Sequence, residues 1–161
     1  MAYLLDANVF IQAKNHHYGF DFCPAFWEWL SKSHAAGRVF SIEKVGDELQ
    51  AGSDELAKWV KGLGPGFFLP PDASVLGSLA TVAEWVRQQE YRAAAISEFL
   101  GSGDYYLVAH AHAHQYIVVT HEVPSDGVRR VKIPNVAIGL SIRHMNPFEM
   151  LRREGARFVL G

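Results

Sequence analysis

Residues 3–11, YLLDANVFI, are almost entirely apolar, yet Asp6 stands in the middle of the stretch and Asn8 follows two residues later. An isolated carboxylate is costly to bury, so a carboxylate in a core segment needs a partner, hydrogen bonds or a metal ion. The residues before Asp6, AYLL, are typical of a short buried strand. The stretch therefore predicts a carboxylate that is held at the end of a core strand.

Strand-like and helix-like segments alternate along the rest of the chain. Strands are predicted in RVFSI (38–42), YIVVT (116–120), VRRVKIP (128–134) and RFVL (157–160). Helices are predicted over 24–37, 43–52, 54–64, 91–101, 104–115 and 146–155, and in a long segment that Asp72 caps. LGPGFFLPP (63–71) is predicted to be an irregular connecting segment, because it is rich in Gly and Pro.

This alternation predicts an α/β fold with a mostly parallel, twisted sheet, because apolar strands need helices on both faces. The chain has 161 residues, 49% of them hydrophobic, and no convincing linker or internal repeat. We therefore expect one domain over residues 1–161, with a three-layer α/β/α architecture.

Composition excludes several classes of protein. No apolar run approaches the ~18 residues of a membrane span, and the N-terminus lacks the pattern of a secretory signal. The single cysteine, Cys23, allows neither an internal disulfide nor a cysteine-based zinc site. We expect a cytoplasmic protein with no membrane partner.

The basic residues are concentrated in the C-terminal segment, although the net charge is −2. Residues 126–161 carry seven Lys and Arg against three Asp and Glu. Arg129, Arg130 and Lys132 could hold phosphate groups, but a solvated strand face explains them equally well.

Four acids occupy positions that favour a shared site. Asp6 follows the first strand and Glu122 follows YIVVT after one residue, so both are expected at the carboxyl edge of the sheet. Glu48 has helical spacing with the apolar Val45 and Leu49, so it is expected on their inward face.

Asp104 opens the helix DYYLVAHAHAHQ, where it is either a helix cap or a ligand. The nearby acids Glu43 and Asp47 are expected on a solvated helix face. Each of the four site acids has an ordinary explanation when taken singly. Together they form a set of hard oxygen ligands, which suits Mg²⁺ or Mn²⁺ and the hydrolysis of phosphodiesters.

The segment AHAHAH (109–114) contains His110 and His114 at a spacing that can bind zinc on a helix. No Glu stands between them, and His112 lies on another helix face. Surface or packed histidines are therefore the favoured interpretation.

Four motifs resemble those of the PIN-domain nucleases: YLLDANVFI, an acid late in the first third of the chain, GDYYLVAHA and VVTHE. The segment KIPNVAIGLSIRHMNPFEMLRREGARF (132–158) resembles a PIN-like subfamily of mostly uncharacterised bacterial and archaeal proteins. The resemblance implies a helix-flanked parallel sheet and Mg²⁺- or Mn²⁺-dependent cleavage of RNA. Many relatives are VapC-type toxins, so it also implies a toxin–antitoxin pair with a protein antitoxin.

The resemblance assigns roles to individual residues. It makes Asp6, Glu48 and Asp104 metal ligands and catalytic residues. Glu122 takes the place of the last acid in the Thr-x-Asp pattern of the family, although relatives often have Asp there. Asn8 and Thr120 match positions that orient ligands through hydrogen bonds.

A haloacid-dehalogenase-type phosphatase is an alternative function, since this class also places an Asp after its first strand. Such a phosphatase needs a second Asp two residues after Asp6, and the chain has Asn8 instead. A PIN scaffold that binds RNA or a protein partner with weak or no cleavage is the second function. The helix PAFWEWL (24–30) fits either a homodimer interface or the core of a monomer.

Overall fold

Five short parallel strands form the central sheet of the computed structural model, which describes residues 2–160. The strands are β1 (Tyr3–Leu5), β2 (Val39–Ile42), β3 (Phe68–Leu69), β4 (Ile117–Val119) and β5 (His144–Met145). Their order across the sheet is β3-β2-β1-β4-β5, and every neighbouring pair is parallel. The predicted α/β fold with a parallel sheet is confirmed.

Nine α-helices connect and flank these strands within residues 2–160. They are α1 (Ala7–Gln12), α2 (Pro24–Ala35), α3 (Glu43–Gln50), α4 (Glu55–Lys61), α5 (Ala73–Gln88), α6 (Ala93–Leu100), α7 (Gly103–His114), α8 (Ile133–Gly139) and α9 (Pro147–Arg153). A π-helical turn, Ala13–His17, continues α1. None of these helices has the length and apolar character that crossing a bilayer requires.

The central strands β1 and β4 are buried along their whole length, as a sheet covered on both faces requires. Tyr3 pairs with Val39 on one side and with Ile117 on the other. Strands β1 and β4 therefore run in register, and their carboxyl ends lie side by side.

Local signals in the sequence set the starts of several helices. The carboxylate of Asp72 accepts a hydrogen bond of 2.9 Å from the backbone N–H of Val75 and so caps α5, as predicted. Asp54 caps α4 through Ala57 in the same way. Helix α7 begins at Gly103 with Ser102 at its cap position, so Asp104 lies in the first turn and does not cap.

Two predicted strands are wrong. Within VRRVKIP, residues 128–132 are irregular and helix α8 begins at Ile133, because Pro134 suits a first helical turn and cannot donate to a sheet. RFVL (157–160) is also irregular, and its Val159 and Leu160 are exposed.

Candidate functional site

Asp6 lies where β1 ends, and only 5% of its surface is exposed. The hydroxyl of Thr120, the residue after β4, donates a hydrogen bond of 2.8 Å to Oδ2 of Asp6. The backbone N–H of Asp6 donates to the carbonyl of Val119 at 2.9 Å. The parallel pairing of β1 with β4 thus holds the carboxylate and the hydroxyl together at one edge of the sheet.

Asn8 extends this hydrogen-bond network. Its Nδ2 donates to the Thr120 oxygen at 3.2 Å, and its Oδ1 accepts from the backbone N–H of His121 at 3.2 Å. The Thr120 oxygen also accepts from the backbone N–H of Glu122 at 3.1 Å. The structure therefore brings Asn8 and Thr120 into one network that orients Asp6 and the chain around Glu122.

A cavity of about 480 Å³ opens over this edge of the sheet. Asp6, Glu48 from α3 and Asp104 from the first turn of α7 line it. Three of the four predicted acids therefore face one space, although they come from separate parts of the chain. Glu48 is an exposed residue, whereas Asp6 is buried and Asp104 is half-buried.

Glu122 lies beside this cavity but does not line it. Its Oε1 accepts a hydrogen bond of 2.9 Å from the backbone N–H of Ile133, at the start of α8. Its Oε2 lies 3.9 Å from an Nη atom of Arg130. Glu122 is thus already engaged by two partners, yet its charge still acts on the other acids.

Burial, together with the negative charges of Asp104 and Glu122, raises the pKa of Asp6 to about 7. The hydrogen bond from Thr120 acts in the opposite direction, because it stabilises the ionised carboxylate. Asp6 therefore exchanges its proton near neutral pH, far above the ordinary value of 3.8.

Burial, together with the negative charge of Glu122, raises the pKa of Asp104 to about 6. Glu48 adds to the repulsion, whereas Arg130 and Lys132 lower this pKa. The charges of Glu48 and Glu122 thus both reach Asp104, and two basic side chains offset part of the repulsion.

The predicted basic residues separate into two groups in the irregular segment before α8. Arg130 lines the cavity, whereas Lys132 is half-buried and lowers the pKa of Asp104. Arg129 is an exposed side chain and does not line the cavity. The interpretation of these residues as a strand face is wrong, since the segment is not a strand.

Lys44 is a lining residue that the sequence analysis missed. It precedes Glu48 by four residues on α3, so the two side chains share a helix face. That spacing was the signal that could have found it. The cavity therefore contains two cations, Lys44 and Arg130, beside its acids.

The donor set consists of carboxylate oxygens, which fit a hard cation such as Mg²⁺ or Mn²⁺. In the part of the chain that the structure describes, no three Asp, Glu, His or Cys side chains already converge as a closed ligand set. The two raised pKa values mark a site where negative charge is uncompensated. A divalent cation would supply that compensation.

The histidines of AHAHAH do not share one site. His112 contacts the hydroxyl of Ser78 through its Nδ1 at 2.8 Å, and His114 pairs with Asp72 at 2.7 Å. His110 is buried, with 2% of its surface exposed. The interpretation of packed and surface histidines agrees with these contacts.

Comparison with known proteins relates the sequence to one family. The family described as "Domain of unknown function (DUF4411)" matches residues 3–158, which is nearly the whole chain. The comparison with curated proteins finds no match.

Solved structures share the fold over most of the chain. They include VapBC2 from Rickettsia felis bound to a promoter DNA fragment, with 18% identity, coverage of 91% of this chain and 98% of that one, and a TM-score of 0.55. FitAcB from Neisseria gonorrhoeae has 19% identity, the same coverage and a TM-score of 0.56. FitAB bound to an IR36 DNA fragment has 18% identity, 91% and 95% coverage, and a TM-score of 0.56. The resemblance to PIN-domain proteins that the motifs predict is confirmed for the fold.

Proposed function

The chain belongs to the DUF4411 family, and we propose that its function is the divalent-cation-dependent hydrolysis of RNA phosphodiester bonds. One observation carries the proposal. Asp6, Glu48 and Asp104 line one cavity at the carboxyl edge of a parallel sheet, and Glu122 acts on two of them through its charge. Such a concentration of acids beside two cations suits a phosphate ester and a metal ion together.

Asp6, Glu48 and Asp104 would hold Mg²⁺ or Mn²⁺ between them, and Glu122 would contribute through its charge or as a further ligand. The bound cation would activate a water molecule and offset the charge that develops on the phosphoryl group. A carboxylate at the end of a core strand is a precise ligand, because the strand pairing limits its movement.

The remaining residues of the site have supporting roles in this proposal. Thr120 fixes the orientation of Asp6 through the 2.8 Å hydrogen bond. Arg130 and Lys44 lie in the cavity wall, where their positive charges can bind phosphate oxygens of the RNA on either side of the cleaved bond. Their charge also limits the repulsion between the acids and the polyanionic substrate.

We further propose that the chain is the toxin of a toxin–antitoxin pair, with a protein antitoxin as its partner. The support is the shared fold with VapBC2 and FitAB, whose names denote two-component complexes. A scaffold that binds RNA without cleaving it is the second candidate. One observation favours this candidate: Glu122 already contacts the backbone of Ile133 and the side chain of Arg130. A catalytic site would need this carboxylate to be available.

The test is an RNA cleavage assay with the purified protein in Mg²⁺, in Mn²⁺ and in EDTA. The wild type is expected to cleave single-stranded RNA only with a divalent cation. Asp104→Asn is expected to cleave it at least ~100-fold more slowly. Glu98→Gln is the matched control, because Glu98 lines the same cavity and is not one of the four predicted acids. Rapid cleavage in EDTA, or equal rates for wild type and Asp104→Asn, would refute the proposal.

A further inference from the structure

A second cavity, of about 220 Å³, adjoins the first across helix α3. Its polar lining consists of Glu43, Lys44, Asp47, Tyr106 and His110, and its apolar lining includes Leu69 and Pro71. The function proposed above uses neither this space nor His110. Glu43 and Asp47, which the sequence analysis placed on a solvated face, thus face a cavity.

His110 is the unusual member of this lining. Only 2% of its residue surface is exposed, and no hydrogen bond joins its imidazole ring to another residue within 2–160. Because no side-chain nitrogen in that range is both fully enclosed and unpartnered, the ring nitrogens open onto the cavity. Burial lowers the pKa of His110 to about 4, so the ring is neutral at physiological pH. A neutral imidazole offers one donor and one acceptor to a ligand that enters the cavity.

The two cavities share a wall. Lys44 and Asp47 line both of them, because the first turns of α3 form the ridge between the spaces. The opposite side of α3 is fixed, since Gly46 packs so closely on the ring of Phe68 that an added Cβ would lie 2.8 Å from it. An RNA strand with a phosphate in the first cavity would therefore meet the second within a nucleotide or two.

The residues that line the second cavity match the chemistry of a nucleobase. Leu69 and Pro71 provide apolar contact for the face of a base. The ammonium group of Lys44 lies 4.3 Å from the centroid of the Tyr106 ring. The carboxylates of Glu43 and Asp47 can only accept hydrogen bonds, and such groups recognise exocyclic amino groups of bases. The same carboxylates disfavour a phosphate group in this space.

We propose that the second cavity binds an unstacked base of the RNA strand, next to the bond that is cleaved, and selects a base with an exocyclic amino group over uracil. His110 is the polar contact at its floor, and Glu43 is an acceptor at its rim. The inference rests on the proposed RNA cleavage and extends it, because it assigns a source of sequence preference.

The experiment uses a pool of single-stranded RNA oligonucleotides with randomised sequence, cleaved in Mn²⁺ and sequenced at both product ends. For the wild type we expect uracil to be disfavoured by about fivefold or more at one position within two nucleotides of the cut, the low end of one good base contact. His110→Gln and Glu43→Gln are expected to reduce this preference to within about twofold. His112→Gln is the matched control on the same helix, because His112 contacts Ser78 and lies outside this cavity.

The possible outcomes separate the two proposals. Absence of any cation-dependent cleavage by the wild type would refute the proposed function, and this inference with it. Cleavage with no base preference near the cut, or with a preference that both variants retain, would overturn this inference alone. If a thermal melt shows that His110→Gln is unfolded, Glu43→Gln decides, since Glu43 is exposed and its substitution leaves the core intact.

Discussion

The hydroxyl of Thr120 donates a hydrogen bond of 2.8 Å to the carboxylate of Asp6, and this bond joins the ends of two adjacent core strands. The same oxygen accepts hydrogen bonds from Asn8 and from the backbone of Glu122. One buried hydroxyl thus connects three of the residues that the sequence analysis assigned to the site. The arrangement explains how a carboxylate can stand at the end of a core strand.

Replacing Thr120 by Val keeps the shape of the side chain and removes these hydrogen bonds. We expect the free energy of unfolding to fall by about 1–3 kcal/mol, because the buried groups around the hydroxyl lose a partner. Thr120→Ser retains the hydroxyl and should lose less than about 1 kcal/mol. Urea denaturation of the three proteins measures the effect, and a Val variant as stable as the wild type would contradict it.

The raised pKa of Asp6 makes stability depend on pH. In the folded protein Asp6 holds its proton up to about pH 7, whereas an unfolded Asp releases it near 3.8. The native state therefore binds more protons between these values, and this contribution to the free energy of unfolding decreases as the pH rises. His110 acts with the opposite sign between pH 6.5 and about 4, because its pKa is lowered.

A comparison with Asp6→Asn isolates the Asp6 contribution, because the histidine contributions are common to both proteins. Between pH 5 and 8, in EDTA, the wild type should lose more stability than Asp6→Asn, by an amount on the order of 1–3 kcal/mol. Urea denaturation across this pH range is the measurement. Parallel curves for the two proteins would show that Asp6 does not titrate in the folded protein.

Arg130 and Arg129 are neighbours in sequence but differ in position, which makes them a matched pair. Arg130 lines the cavity, whereas Arg129 is exposed outside it. We expect Arg130→Ala to raise the KM for RNA several-fold, and Arg129→Ala to raise it less, because only Arg130 can bind phosphate beside the cleaved bond. Equal effects of the two substitutions would indicate a general surface charge effect.

In bacteria, expression of the wild-type chain without an antitoxin is expected to arrest growth through RNA cleavage. Asp104→Asn should relieve the arrest at equal protein level, while Glu98→Gln should remain toxic. Colony counts after induction, with immunoblots for protein level, give the result. Equal toxicity of wild type and Asp104→Asn would point to a function in binding.

The sequence alone predicted the central part of the fold well. The strands around Asp6 and Thr120 were recognisable because continuous apolar runs followed by polar residues are typical of buried parallel strands. Strands β3 and β5 were missed, since two residues are too few for a periodic pattern and their pairing depends on the neighbouring strand.

The candidate site was predictable as a set of acids but not in its geometry. Sequence placed Asp6 and Glu122 at one edge of the sheet, yet it could not show that Ile133 and Arg130 engage Glu122. That contact depends on the start of helix α8, and the sequence analysis assigned residues 128–134, which include this start, to a strand. The space beside His110 was also hidden, because a cavity arises from the packing of separate segments.

The most direct test of Asp6 as a cation ligand is a thermal melt of wild type, Asp6→Asn and Glu98→Gln at pH 8, with EDTA and with Mn²⁺. Without the cation, Asp6→Asn should be as stable as the wild type or more stable by about 1 kcal/mol, because one buried, repelled charge is gone. Mn²⁺ should raise the Tm of the wild type and of Glu98→Gln, since it binds the native state, and raise that of Asp6→Asn much less. An Asp6→Asn protein that is several kcal/mol less stable in EDTA, with the same Mn²⁺ shift as the wild type, would show instead that Asp6 is a structural residue.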